Sequence, residues 1–239
     1  MDRPMSQRLI AEVVGTFTLI FVGAGSIIAL NAVGQISGAF GPAILSGGGL
    51  VTVALAHGLA IAVMVSAVGH ISGGHFNPAV TVAAWVTRRI ETGATIAYVV
   101  AQLAGATLGA LALRVLMPGP IWSEVALGTP LVDPSLTDWQ AIGIEAVLTF
   151  LLVWVVFATA MDPEGSFNKI AGLAIGFTIT MDILVGGPFT GAAMNPARSF
   201  GPAVVGGELT GIWVYFLGPI IGGTIAALLY DLRLLRRET

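Results

Sequence analysis

Two polar triplets interrupt apolar sequence, and both hold the residue types that begin a helix. They are Asn77-Pro78-Ala79 and Asn195-Pro196-Ala197. Asparagine is a favoured N-cap and proline is favoured at the first helical position, so the triplets predict helices over residues 77–87 and 195–206. If each asparagine oxygen caps its own helix, its amide NH₂ group can donate hydrogen bonds to an acceptor such as water.

Both predicted helices are too short to cross a membrane. At about 1.5 Å per residue they extend about 16–18 Å, roughly half of a hydrocarbon core of about 30 Å. We therefore expect re-entrant segments within residues 70–87 and 187–206, whose helices meet with their amino ends near the bilayer centre. Two facing helix dipoles would repel cations, including hydronium. A water that accepts from both asparagines would turn its hydrogens outward and interrupt proton hopping.

Ionisable residues within apolar sequence are candidates for function. Arg198 follows Asn195 by three residues and is expected at the wall of a water-filled pore. Glu12 and Glu145 are expected to hold the re-entrant loops through backbone N–H groups, with a proton relay as the alternative. Asp182 lies in the fifth predicted span, where we expect it either to bond to a neighbouring span or to face the outer vestibule, and its role is left open.

Two histidines, His70 and His75, flank the stretch that leads into the first triplet. A metal site or a hydrolase centre would need an acidic partner or a third ligand, and none lies nearby in the sequence. We expect hydrogen bonds that fasten the loop instead. The sequence thus predicts no metal, no cofactor and no enzymatic activity.

The composition defines the class of protein that must position these residues. The chain has 239 residues, of which 56% are hydrophobic and 10% charged, with a mean hydropathy of +0.92. These values predict an all-α integral membrane protein. A net charge of −3 without a basic run argues against a nucleic-acid partner, and the absence of cysteine excludes disulfides. Six spans are predicted near residues 8–30, 49–69, 93–116, 139–161, 168–186 and 210–232.

The sequence contains an inverted internal repeat. AEVVGTFTL at 11–19 parallels IEAVLTFLL at 144–152, and SGGHFNPAV at 72–80 parallels TGAAMNPAR at 190–198. We expect a single transmembrane domain, with repeat one over about 1–116, an outer loop at 117–138 and repeat two over 139–239. Three spans per repeat make the second copy inverted, which indicates a transport site near the midplane. Most Lys and Arg residues fall on one predicted face, so both termini are expected in the cytoplasm, in a multi-pass protein of the cell membrane.

These motifs together resemble the aquaporin (major intrinsic protein) family over essentially the whole chain. The resemblance rests on the paired NPA boxes in HFNPAVT and MNPARSFGPA, the preceding HISGGH, and Glu12 and Glu145. It implies six spans with two half-helices, one pore per subunit, and a homotetramer in the lipid bilayer. It also implies an outer selectivity filter, which in this sequence falls on His57, Ile183, Ala192 and Arg198.

This filter is similar to that of the plant tonoplast-intrinsic branch, some members of which also pass ammonia or urea. The resemblance implies a passive channel for water and small neutral solutes such as ammonia, which excludes protons and ions. Ser199 and Ala203 stand where the glycerol-conducting branch has Asp and Lys, which favours water. One alternative is a facilitator mainly for ammonia, urea or glycerol, and another is a coupled secondary transporter.

Overall fold

The chain folds into long helices joined by re-entrant and outer segments. The structure is a computed structural model that describes residues 3–37, 47–165 and 168–235. The first helix, α1, comprises Met5–Thr18, a π-helical stretch Leu19–Ala24 and Gly25–Ser37 without interruption. The others are α2 (Gly47–Ser72), α3 (Pro78–Val86), α4 (Thr92–Leu116), α5 (Gly119–Glu124), α6 (Asp138–Val156, continued by π-helical Phe157–Met161), α7 (Ala171–Thr190), α8 (Pro196–Gly206) and α9 (Val214–Arg233).

Six of these helices are long and apolar enough to cross a membrane, namely α1, α2, α4, α6, α7 and α9. The predicted class, six spans with two half-helices, is confirmed, although several ends differ. The fifth span was expected over 168–186, but α7 reaches Thr190 and ends where Gly191 adopts a left-handed φ of 77°. Arg236 and Arg237, two of the basic residues behind the predicted orientation, lie outside the described residues.

The two half-helices exchange partners between the repeats. The first, α3, packs chiefly against α9, which is the third span of repeat two. The second, α8, packs chiefly against α4, which is the third span of repeat one. The half-helix of each repeat therefore packs against the third span of the other repeat, as an inverted repeat requires.

Small residues allow the long helices to approach closely at equivalent places. A Cβ atom on Gly58 of α2 would overlap the carbonyl oxygen of Gly176 in α7, and a Cβ on Gly176 would overlap the carbonyl oxygen of Gly58. Close contacts of the same kind place Gly105 of α4 against the Val13 carbonyl of α1, and Gly222 of α9 against the Ala146 carbonyl of α6. The contact of Gly58 with Gly176 marks the pseudo-twofold axis that relates the repeats.

The outer segment between the repeats has structure of its own. It holds α5 and a 3₁₀ turn, Ala126–Gly128. Glu124 at the end of α5 accepts hydrogen bonds from Asn31 Nδ2 at 3.0 Å and Gln35 Nε2 at 2.7 Å. These bonds fasten the outer segment to α1, which brings the 3₁₀ turn over the outer end of α8.

Candidate functional site

Both asparagines of the NPA boxes cap the half-helices that follow them. Asn77 has an extended backbone, and its Oδ1 accepts from the N–H of Ala79 at 2.8 Å. Asn195 has the same backbone conformation, and its Oδ1 accepts from Ala197 N at 3.0 Å and Arg198 N at 3.3 Å. Such a cap is worth about 1 kcal/mol to a helix. It fixes the side-chain oxygen and leaves the amide NH₂ group for other partners.

Each asparagine also binds the loop of the opposite repeat. Asn77 Nδ2 donates to the carbonyl oxygen of Met194 at 2.8 Å, and Asn195 Nδ2 donates to the carbonyl oxygen of Phe76 at 2.9 Å. These bonds bring the amino ends of α3 and α8 together. An amide NH₂ group carries two hydrogens, so each asparagine retains one donor after the cross-loop bond. The sequence predicted that both hydrogens of each amide would be free, and in the structure only one is.

Glu12 holds the first re-entrant loop from α1. Its Oε1 accepts from Ser72 Oγ at 2.6 Å and from the backbone N–H of His75 at 3.1 Å. Its Oε2 accepts from the backbone N–H of Phe76 and from Gln102 Nε2, both at 2.7 Å. The carboxylate therefore satisfies two backbone donors that would otherwise be unpaired inside the membrane.

Glu145 of α6 makes the equivalent contacts with the second loop. Its Oε1 accepts from Thr190 Oγ1 at 2.7 Å and the backbone N–H of Ala193 at 2.9 Å, and its Oε2 accepts from Met194 N at 2.7 Å. Both glutamates are fully buried. Glu12 accepts four hydrogen bonds and Glu145 three, of which two in each set come from loop backbone N–H groups, so the contacts support a loop-holding role rather than a proton relay.

A tyrosine fastens each loop at a second point. Tyr98 donates to the Ser72 carbonyl and Tyr215 donates to the Thr190 carbonyl, both at 2.8 Å. The first repeat adds a cation, because Arg8 Nε donates to Tyr98 Oη at 2.7 Å and its guanidinium lies over the same ring.

The residues that bind the glutamates have strained backbones. Phe76 has a φ of 48° and Met194 a φ of 52°, in the left-handed region that side chains with a Cβ rarely adopt. Such a conformation costs about 1–3 kcal/mol at each position. The charge-assisted hydrogen bonds from their N–H groups to Glu12 and Glu145 offset that cost. The strain turns the carbonyls of Phe76 and Met194 toward the opposite asparagine.

The hydrogen-bond pattern fixes which nitrogen of His75 carries a proton. Thr81 Oγ1 donates its only hydrogen to the Asn77 carbonyl at 3.0 Å. It must therefore accept from Gln102 Nε2 at 2.9 Å and from His75 Nδ1 at 3.1 Å. The neutral His75 ring thus carries its hydrogen on Nδ1, and Nε2 is an acceptor.

A cavity of about 40 Å³ lies beside the two capping asparagines. All four candidate filter residues line it together with Asn77 and Asn195. The rest of its wall is mainly apolar. Its other lining residues are Leu19, Ile61, Gly74, His75, Val80, Leu152, Val156, Ile175, Ile179, Ala193 and Met194.

Two of the candidate filter residues separate this cavity from a wide outer vestibule. Ile183 and Arg198 line both the cavity and the vestibule, whose volume is about 350 Å³. Arg198 is buried, and its Nη1 donates to the carbonyl of Gly128 at 2.8 Å. Its Nε has no hydrogen-bond partner among the described residues, so it retains a donor for a solute.

The ring of His57, which lies on α2, is positioned by contacts with α2 itself and with α1. Its Nδ1 lies 2.9 Å from the Val53 carbonyl, which can only accept, so Nδ1 carries the hydrogen and Nε2 of the neutral ring is an acceptor. Within the described part of the chain Nε2 has no partner. A Cβ on Gly23, in the π-helical stretch of α1, would press on this ring. Local π-helical geometry is frequent at functional sites.

Two residues stand apart from this arrangement. His70 was predicted to fasten the loop. It is exposed at the end of α2, and its side chain makes no hydrogen bond within the described residues. Of the two histidines, only His75 contacts the loop through its side chain, because His75 lies on the buried side of the loop. Asp182 is 1% exposed, and its Oδ2 has no hydrogen-bond partner in the described ranges.

Sequence reasoning missed several residues that complete the site. Gln102 and Tyr98 share the α4 stretch YVVAQ, whose tyrosine recurs in repeat two, so the repeat carried a usable signal. The Gly128 carbonyl gave none, because a backbone acceptor in a loop has no sequence signature. Ser72 and Thr190, five residues before each asparagine, were also detectable as a matched hydroxyl pair.

Known proteins share both this sequence and this architecture. The profile of the major intrinsic protein family matches residues 2–230. "Probable aquaporin TIP3-2" of Arabidopsis thaliana is 48% identical over 93% of this chain and 81% of its own length. "Aquaporin TIP4-4" of Zea mays is 44% identical over 96% and 87%, and "Aquaporin NIP1-1" of Oryza sativa subsp. japonica is 43% identical over 96% and 75%.

Among solved structures, the aquaglyceroporin of Plasmodium falciparum shares the fold. Its TM-score is 0.80 at 24% identity, with 97% of both chains covered. At that identity the likeness concerns the fold alone. The profile match and the plant relatives extend over nearly the whole chain, including both capped half-helices, and this chain therefore belongs to the aquaporin (major intrinsic protein) family of membrane channels.

Proposed function

We propose that the protein is a passive channel for water that also passes small neutral solutes such as ammonia and excludes protons and ions. One observation carries the proposal. Asn77 and Asn195 each keep one amide hydrogen after capping a helix and bonding the opposite loop, and both line the same cavity. The pore centre thus offers two donors from opposite repeats and no side-chain acceptor from either asparagine.

A water molecule at this point accepts two hydrogen bonds through its oxygen. Its hydrogens then point away along the pore, toward acceptors on either side. Neighbouring waters in the file are oriented in opposite directions, so a proton cannot hop through the centre by successive donor–acceptor exchange. The amino ends of α3 and α8 add the positive ends of two dipoles, which oppose hydronium and metal cations.

The candidate outer filter combines one acceptor, one cation and two apolar side chains. His57 Nε2 can accept from a solute, and Arg198 Nε can donate to it. Ile183 and Ala192 contribute no polar group, so the opening is less polar on their side. Water and ammonia each offer both hydrogen and lone pair, and we propose both as substrates. A facilitator mainly for ammonia, urea or glycerol is the alternative, which the rank order of fluxes decides.

We also propose a homotetramer with both termini in the cytoplasm. The chain has no cysteine, so single substitutions can report the orientation directly. Ser135→Cys lies in the exposed outer segment and Glu164→Cys in an exposed turn on the opposite side. An impermeant thiol reagent added to intact cells should label Ser135→Cys alone. Labelling of Glu164→Cys alone would reverse the orientation.

Stopped-flow light scattering on proteoliposomes tests the function. Osmotic shrinkage should be fast, independent of Na⁺ and proton gradients, and unsaturable, whereas a coupled transporter would show saturation and ion dependence. Ammonia, urea and glycerol should be compared in the same vesicles and in His57→Phe vesicles. If water slowed in His57→Phe while ammonia and urea entry stayed unchanged, His57 would not belong to a filter that these solutes share.

A further inference from the structure

The inverted repeat assigns every residue of the outer filter a counterpart on the inner side. The two capping asparagines are 118 positions apart (195 − 77), and the same shift relates the touching pair Gly58 and Gly176. It also relates Ser72 to Thr190, whose hydroxyls bind the two glutamates in the same way. Under this shift His57, Ile183, Ala192 and Arg198 correspond to Ile175, Val65, Gly74 and Val80.

Three of these four counterparts line the cavity beside the asparagines, and the fourth lines a neighbouring pocket. Gly74, Val80 and Ile175 line the pore cavity. Val65 lines a separate pocket of about 340 Å³, which we call the inner vestibule. The boundary between the two spaces falls at these residues, because Ile61 lines the cavity and Val65, one helical turn away, lines the vestibule. The counterpart Ile183 marks the equivalent boundary at the outer side.

The two rings differ in chemistry although they are related by the repeat. The outer ring has the imidazole of His57 and the guanidinium of Arg198. The side chains of the inner ring, Val65, Gly74, Val80 and Ile175, hold no hydrogen-bond donor or acceptor. Val80 and Ile175 are buried against the core cluster around α2, α6 and α7, so packing holds their positions.

We propose that this inner ring is a second selectivity element, an apolar sieve in series with the polar outer filter. The inference rests on the proposed channel function and adds to it the residues that exclude larger polar solutes. A solute that finds partners at His57 and Arg198 must still give them up and pass between Val80 and Ile175. Water and ammonia are small enough to keep contact with their file neighbours there, whereas urea and glycerol lose several hydrogen bonds.

Two barriers in series predict a specific pattern of mutant fluxes. Their resistances add, so opening one of two comparable barriers raises the flux by no more than about twofold, however wide the opening. When both barriers are opened, the increase in flux is no longer limited to about twofold. A large increase that appears only when both rings are opened is therefore the signature of two sieves, whereas a single filter gives the full increase from its own substitutions.

The experiment measures glycerol and urea entry into proteoliposomes by stopped-flow light scattering. The outer opening is His57→Ala with Ile183→Ala, the inner opening is Val80→Ala with Ile175→Ala, and the third protein combines them. We expect each opening alone to raise glycerol entry by about twofold at most and the combination to raise it at least about tenfold. The inner ring has no sieving role if the outer opening alone reaches the combined value, or if the combination shows no increase. An inner opening that alone reaches the combined value would contradict two comparable sieves in series.

Water permeability in the same vesicles separates this proposal from the channel function on which it rests. Wild-type vesicles that shrink no faster than empty liposomes would contradict the channel itself. Wild-type vesicles with rapid shrinkage, in which the outer opening alone admits glycerol fully, would contradict only the inner sieve. A thermal unfolding midpoint in detergent close to that of the wild type shows that each variant has folded.

A narrowing substitution gives a second readout that does not depend on core cavities. Val65→Phe places a larger apolar side chain at the inner ring and should lower water permeability at least about fivefold. The matched control is Val63→Phe on the same helix, α2, because the Val63 side chain is 61% exposed on the protein surface. Equal water permeability in the two variants would overturn the placement of Val65 at the narrow point.

Discussion

Asn77 and Asn195 each donate a hydrogen bond to the carbonyl that precedes the other asparagine by one residue. This reciprocal contact makes each half-helix part of the other's support. It also orients both amides, since the oxygen is held by the capped helix and one hydrogen by the opposite loop. The remaining hydrogen of each amide belongs to a side chain that lines the cavity, and its direction follows from the fold rather than from solvent.

The carboxylate of Glu12 should be needed for stability. In Glu12→Gln an NH₂ group replaces one oxygen, and either orientation sets it against a backbone N–H, that of His75 or that of Phe76. We expect the free energy of unfolding to fall by about 1–3 kcal/mol, the cost of an unsatisfied buried donor. Thermal unfolding in detergent, followed by tryptophan fluorescence, measures the change.

The control for that substitution is Glu91→Gln. Glu91 is exposed at the start of α4, and its side chain makes no cap hydrogen bond. The midpoint of thermal unfolding of Glu91→Gln should stay at the wild-type value. Equal midpoints for Glu12→Gln and the wild type would show that the loop does not depend on the carboxylate.

The glycine contact on the pseudo-twofold axis should tolerate no side chain. A Cβ on Gly58 would overlap a backbone oxygen of α7, which cannot rotate away, so α2 and α7 must separate. Gly58→Ala is expected to destabilise the protein by about 1–3 kcal/mol through overpacking. Gly48→Ala is the control on the same helix, because nothing lies within 4 Å of a Cβ there. Thermal unfolding measures the change. A midpoint for Gly58→Ala as high as that for Gly48→Ala would refute the close approach of α2 and α7.

The position of the His57 ring should depend on Gly23. In Gly23→Ala the added Cβ would occupy space next to the ring atoms and push the ring toward the cavity. Water permeability is expected to fall at least about threefold while the protein remains folded. The comparison is Gly143→Ala on α6, where a Cβ meets nothing within 4 Å. If both variants conduct water like the wild type, the ring does not border the narrow part of the pore.

A carboxylate in place of a central amide should admit protons. In Asn195→Asp the capping oxygen is retained, but the second oxygen faces the Phe76 carbonyl and brings a negative charge to the pore centre. We expect proton flux, followed with a trapped pH-sensitive dye, to rise above that of wild-type vesicles. Asn31→Asp changes the same residue type outside the pore, at the contact between α1 and Glu124. Proton flux as low in Asn195→Asp as in Asn31→Asp would contradict the electrostatic role of the centre.

The half-helices and their caps were predictable because the cause is local. Asn77-Pro78 and Asn195-Pro196 carry cap and first-turn preferences within two residues, and their repetition identified the inverted copies. Glu12 and Glu145 were also predictable in kind, since a membrane carboxylate needs donors and the re-entrant loops offer unpaired N–H groups. Helix ends were less predictable, as the extension of α7 to Thr190 shows.

The cross-loop and outer-segment contacts were not predictable, because they join backbone atoms far apart in sequence. The Met194 carbonyl becomes the partner of Asn77 only through a strained φ of 52° that no residue type in MNPA requires. The Gly128 carbonyl that binds Arg198 lies in a segment that the sequence defined only as a connection. His70 and His75 have similar neighbours, and only the path of the loop distinguishes the exposed ring from the buried one.

In the proposed channel, water passes the two asparagines in a file in which proton transfer is interrupted. The most direct measurement records osmotic water permeability and proton permeability in one preparation of wild-type proteoliposomes, at several protein-to-lipid ratios. Water permeability should rise in proportion to the protein, while proton permeability stays at the value of protein-free liposomes. Proton permeability that rises in step with water permeability would contradict the claim.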